Sequence, residues 1–217
     1  MSHIGGLIGM VTKELEEIGL FLRRNYSELI IISCAALFLI LGEHHSLVSR
    51  WFDAVVFYAI LPLLAIFILL RKNPLDFGLR PGDYRIWLVH VIVTCIVAFP
   101  ILIIASRFNS LQDYYTIEDF FLPRYFLEIT AYQISWEFIF RGFLLFGLKE
   151  KLKEVSIIVQ MVPFVLLHLG KPEIEVISTI PMGIYFGYIA YRGNSYWPAV
   201  IIHLFINISF RVMVNGF

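Results

Sequence analysis

Charge is what this sequence lacks most. Lys, Arg, Asp and Glu supply 16% of its 217 residues, against about 25% in soluble domains. In their place stands a 59% hydrophobic fraction with 20 phenylalanines and a mean hydropathy of +0.79. A chain of 25.2 kDa has room for one domain, and one domain of that size cannot hide so much apolar surface from water. A soluble enzyme, a disordered chain and a secreted mini-protein are excluded. Net charge is zero, so no nucleic-acid partner is implied. Cysteine is scarce too: Cys34 and Cys95 both lie in apolar runs, which excludes a disulfide framework and a cysteine metal site. The first 26 residues carry six charges from Lys13 to Arg24 and no apolar core before a small-residue cleavage site, so they do not read as a signal peptide.

What is there are long apolar stretches. A helix crossing a bilayer needs about 17–25 such residues. Seven segments approach this: 28–42, 54–70, 86–106, 123–148, 155–170, 175–191 and 195–214. The expected fold is therefore all-α, a polytopic bundle of about seven membrane helices over residues 27–217. Residues 1–26 come before it, with Leu7, Val11, Leu15, Ile18 and Leu22 at helical spacing and charges opposite. That pattern predicts an amphipathic helix on the membrane surface, with an ordinary solvent-facing helix as the bland alternative. Lys and Arg favour the loops at the N-terminus, 71–85, 149–153 and Arg192 over those on the other side. The positive-inside rule then predicts a cytoplasmic N-terminus. Pro62, Pro100, Pro163 and Pro181 interrupt four of the spans, and Gly183 and Gly187 form a GxxxG pair that permits close helix approach.

Polar groups inside the spans are few, and each needs a reason, since a charge at mid-bilayer costs about 2.5–3.5 kcal/mol. The fourth span holds Glu137 and Arg141, spaced to share one helical face. The fifth holds His168; the seventh holds His203 and Asn207, again one turn apart. Each piece alone has a structural explanation: an ion pair locking helices, a hydrogen-bonded packing histidine, interhelical glue. Together they supply what hydrolysis requires. Glu or His can take a proton from water, and His and Asn can donate to the oxyanion.

The blocks Trp136-Glu137-x-x-x-Arg141, Phe164-x-x-x-His168 and His203-x-x-x-Asn207 resemble the motifs E-E-x-x-x-R, F-x-x-x-H and H-x-x-x-N of the CPBP family (CAAX protease and bacteriocin-processing, or Abi) of intramembrane endopeptidases. The loop Phe77-Gly78-Leu79-Arg80-Pro81-Gly82-Asp83 looks like the segment those proteins carry upstream of the motifs, and the resemblance spans about residues 75–210. It implies peptide-bond hydrolysis in a wet cavity within the cell membrane, with a peptide or membrane-protein segment as substrate and lipid as surroundings. It names neither that substrate nor an oligomeric state.

One position departs from the family pattern. Trp136 replaces the first Glu of the motif, the residue usually taken as activating water, and an indole is no base. Glu175 is the candidate to compensate. The run His168-Leu169-Gly170-Lys171-Pro172-Glu173-Ile174-Glu175 resembles a variant group with H-x-x-K-P-x-x-E, and Pro172 should break the helix and fold Glu175 back towards His168. Lys171, Glu173 and Glu175 as plain loop charges is the competing explanation. Two chemistries stay open. In one, metal-free, Glu and His activate water while His203 and Asn207 hold the oxyanion. In the other, His168 and His203 ligate zinc. The sequence has no HExxH, which leans towards the first.

Depth raises a difficulty. At about 1.5 Å per residue, Glu137 and His203 fall near mid-bilayer, while His168 sits two residues from the end of its span. Convergence requires a displaced fifth helix or a cavity dipping in from that end. A catalytically inactive binding, immunity or scaffolding protein on the same fold is the first alternative, and a proton-relaying transporter the second. No internal repeat supports transport.

Overall fold

The computed structural model describes residues 2–216, with side chains from residue 9 onward, so the side chain of Leu7 lies outside the described residues. Nine helices follow one another among these residues, with no strand. They are α1 (Ser2–Arg24), α2 (Tyr26–His44), α3 (Arg50–Leu70), α4 (Tyr84–Ala105), α5 (Asn109–Tyr115), α6 (122–152), α7 (Val155–Leu166), α8 (Glu173–Gly193) and α9 (Trp197–Asn215). The fold is an all-α membrane helix bundle.

Five helices are long and apolar enough to cross a membrane: α2, α3, α4, α8 and α9. The other two expected spans differ in instructive ways. α6 is long, but its charges lower its apolarity. α7 has 12 residues, or about 18 Å at 1.5 Å per residue, well short of a hydrocarbon core of about 30 Å. Residues 167–170, counted as membrane helix in the sequence, form a turn instead. Gly170 takes a positive φ of 93°, and Pro172 caps α8 in an extended conformation. On α1, Val11, Leu15, Ile18 and Leu22 are all exposed, and no protein covers the stripe.

Two interruptions shape the bundle. In α3, Pro62 sits between the wide-turn π segments Val55–Ile60 and Ala65–Leu70. α6 turns from α to π geometry over Phe138–Phe146, immediately after Glu137, and π turns often mark functional positions. The GxxxG pair packs within the chain. A Cβ on Gly183 would meet Met161 and Phe164, and one on Gly187 would meet Gln160 and Ile157, all on α7. At the closest point Gln160 donates Nε2–H to the Gly183 carbonyl at 2.8 Å.

At the end of the bundle bearing the 71–85 loop, packing is dense. The loop lies on the α8–α9 turn: Tyr196 N–H donates to the Gly78 carbonyl at 3.0 Å and Asp83 N–H to the Gly193 carbonyl at 2.8 Å. Trp197 Nε1–H donates to the Leu79 carbonyl at 2.9 Å. Gly82, at φ 63°, is required here because a Cβ would strike the Gly193 carbonyl oxygen. Beneath the loop, Phe77, Phe138, Phe140, Phe143, Leu144 and Leu148 belong to one buried core.

Candidate active site

The opposite end is open. The start of α3, the end of α4, α5, the first half of α6, the α7–α8 turn and the second half of α9 surround a cavity of about 600 Å3. These are the helix ends remote from the 71–85 and 149–153 loops. Because α7 stops at Leu166, the cavity reaches down into the bundle, and this removes the depth difficulty: His168 and His203 both line it. Phe164 lies between them, its ring centroid 4.6 Å from that of His168 and 6.3 Å from that of His203.

Behind this wall sits the ion pair read from the sequence. Glu137 and Arg141 are 0% exposed and neither lines the cavity. Their i, i+4 spacing brings Arg141 Nη1 to 3.0 Å from Glu137 Oε2 and 3.3 Å from Oε1. The pairing to Oε2 is ionic, with geometry short of a hydrogen bond. The guanidinium plane is also covered by aromatic rings, its carbon 4.1 Å from the Phe164 centroid and 5.3 Å from that of Phe186. Ring faces stabilise a desolvated cation by about 2 kcal/mol, part of what burying it costs.

The carboxylate reaches the cavity through a histidine. His203 Nδ1–H donates to Glu137 Oε1 at 2.6 Å, and the His203 side chain is 14% exposed. A carboxylate paired with a guanidinium only accepts, so Nδ1 carries a proton, and in the neutral imidazole Nε2 is the acceptor. His168 is oriented by the same logic. Its Nδ1–H donates to the Phe164 carbonyl at 2.7 Å, and a carbonyl can only accept. Both imidazoles are thus held in one tautomer. Asn207 lines the cavity one turn beyond His203 and donates one Nδ2–H to the His203 carbonyl at 3.0 Å, leaving its second N–H free of that bond.

Glu175 lies on the same cavity but in a separate network. Lys171 Nζ donates to its Oε1 at 2.7 Å and Tyr115 Oη to its Oε2 at 2.6 Å. Among the described residues no hydrogen bond joins Glu175 to His168. Burial first, and the Glu175 carboxylate second, push the Tyr115 phenol well above its ordinary pKa, so it remains a donor. Arg211 donates Nη1–H to the Tyr115 carbonyl and lies against the Tyr115 ring. Sequence reasoning missed Tyr115 and Arg211, because α5 lies outside every apolar span and nothing local links it to α9. Gln133 was missed as well, although a signal was there: an amide in an apolar helix, one turn before Glu137.

Zinc is tested by the donors. Among the described residues no group of three or more His, Cys, Asp or Glu side chains converges at metal-binding distance. Two imidazoles with Glu175 tied to Lys171 and Tyr115 do not make the three-ligand set of a catalytic zinc. The residues present do not fit that ion.

Trp136, at the position where the resemblance expects an acid, is packed among rings. Its ring stacks on Tyr132 at 5.5 Å and meets Tyr58 and Phe140 edge-on at 5.7 and 5.1 Å. His168 lies 5.8 Å away.

Residues 119–209 match a family model described as type II CAAX prenyl endopeptidase Rce1-like. No curated protein and no solved structure has significant similarity to the chain. The match begins before α6 and ends within α9, so it covers every polar residue of the buried dyad and the facing imidazoles. Over residues 119–209, which carry much of the cavity wall, this integral membrane protein is therefore similar to the Rce1-like, CAAX-protease family.

Proposed function

We propose that the protein is an intramembrane endopeptidase in which His203 is the general base. The bond from His203 Nδ1 to the buried Glu137 carboxylate, 2.6 Å long on the cavity wall, carries this reading. It leaves Nε2 as an acceptor on the wet side. Water between Nε2 and the scissile carbonyl passes a proton to Nε2 as its oxygen bonds the carbonyl carbon. The tetrahedral oxyanion accepts from the free Asn207 Nδ2–H. The imidazolium, stabilised by Glu137, returns the proton to the leaving amine nitrogen as the C–N bond breaks. Arg141 fixes the carboxylate, and His168 Nε2 offers a second acceptor to orient the water.

This assignment differs from a glutamate-activated water because Glu137 never meets the cavity. Glu175 is the remaining carboxylate there, and its role is decided by substitution. With the Lys- and Arg-rich loops cytoplasmic, the cavity opens on the external face of the cell membrane and takes an apolar peptide or membrane-protein segment. Purified protein in micelles, incubated with apolar peptides spanning a quenched fluorophore pair, should cleave them. Cleavage should fall steeply in His203→Ala and survive dialysis against a chelator. A protein that binds such peptides without cleaving them under any of these conditions is a scaffold instead. Trp136, at the position of the family's water-activating acid, favours that second reading.

A further inference from the structure

Two polar groups on the cavity wall have no part in this chemistry. Gln133 and Trp136 stand three residues apart on α6, which sets them on one face, and both line the cavity. They are 3% and 4% exposed, yet the Trp136 indole N–H and the Gln133 amide oxygen have no hydrogen-bond partner in the protein. Buried polar groups are nearly always paired, and leaving one unpaired costs about 1–3 kcal/mol. The rings around Trp136 leave its N–H unpaired. Tyr132 stacks on it, Phe140 and Phe164 flank it, and His168 meets it edge-on at 5.8 Å without a hydrogen bond to the indole. Both residues line the cavity, and a ligand seated there is what remains to pair these atoms.

The chemistry of the pair selects its ligand. One fixed donor and one side-chain amide, with no net charge, do not recognise an anion or a cation. They complement a peptide group, whose carbonyl accepts from the indole and whose N–H donates to the amide oxygen; the Gln133 amide also keeps donors of its own. A segment entering from lipid must unwind before its peptide bond can be attacked, and an unwound backbone at membrane depth needs its polar groups satisfied. We propose that Gln133 and Trp136 are a backbone-docking subsite, holding an extended apolar peptide along α6 beside His168. The proposal rests on the peptidase reading and adds the means by which substrate is held for it.

Indole resonances test this directly. The full chain, labelled with 15N at its four tryptophans, is titrated in micelles with N-acetyl-Leu-Leu-Leu-amide and with the same peptide N-methylated along its backbone. Trp136→Phe assigns the Trp136 signal, and the other three signals report that each variant folds. The Trp136 N–H should move downfield saturably with the first peptide. Gln133→Leu should weaken binding about tenfold, the effect of one hydrogen bond. N-methylation should weaken binding to the unsubstituted protein about as much, and binding to Gln133→Leu hardly at all. Binding that shifts other signals but not Trp136, with Gln133→Leu unaffected, overturns the subsite; cleavage by the unsubstituted protein would then leave the peptidase standing. A moving Trp136 signal with no cleavage keeps the subsite and removes the peptidase. No saturable change at any indole overturns the subsite as well.

Discussion

Along α6 the first half, Leu122–Glu137, faces a cavity, while the second half, Phe138–Phe146, is buried almost without a break. The difference extends to the whole bundle. At the Phe143 end, glycines let backbone and rings approach closely, and polar groups are spent on loop-to-turn hydrogen bonds. At the Gln133 end, a helix too short to span leaves a gap, and polar side chains surround it. Glu137 and Arg141 sit at the junction. The comparison teaches that the packed end fixes where the acid can be and the open end decides what it can act on.

The sharpest way to break this division is at His203. His203→Ala should lower peptide cleavage by about 10²–10⁴-fold, the usual contribution of a general base, with the helical content of the micellar protein retained. Cleavage within threefold of the unsubstituted rate would remove His203 from the chemistry. Next comes the junction. Arg141→Met strands a buried carboxylate and should destabilise the fold by about 3–5 kcal/mol, read as a lower denaturant midpoint in micelles. A midpoint unchanged in that variant would mean that the pair contributes nothing to fixing α6.

A smaller effect is expected at the packed end. Gly82→Ala places a side chain at positive φ against the Gly193 carbonyl and should cost about 1–3 kcal/mol, with residual activity per folded molecule unchanged. Activity lost ahead of stability would show the two ends to be coupled. The smallest change should come from Glu175→Gln, which weakens the Lys171 and Tyr115 contacts at the mouth; cleavage should fall less than tenfold, as for one partly exposed pair. A loss as deep as that of His203→Ala would instead assign to Glu175 the work of the missing acid.

The sequence alone determined the solvent and the class of fold, because apolar composition and helix period act locally and leave no other way to hide the backbone in lipid. It also determined the pairing of Glu137 with Arg141, since four residues of helix bring them together wherever the helix goes. Only the tertiary structure decided that Glu137 turns away from the cavity and reaches it through His203, that α7 ends early enough to admit His168, and that Glu175 is held by a tyrosine 60 residues before it. Those outcomes depend on where helices stop and how their faces meet, which arises from packing between distant segments and has no period to be read in the chain.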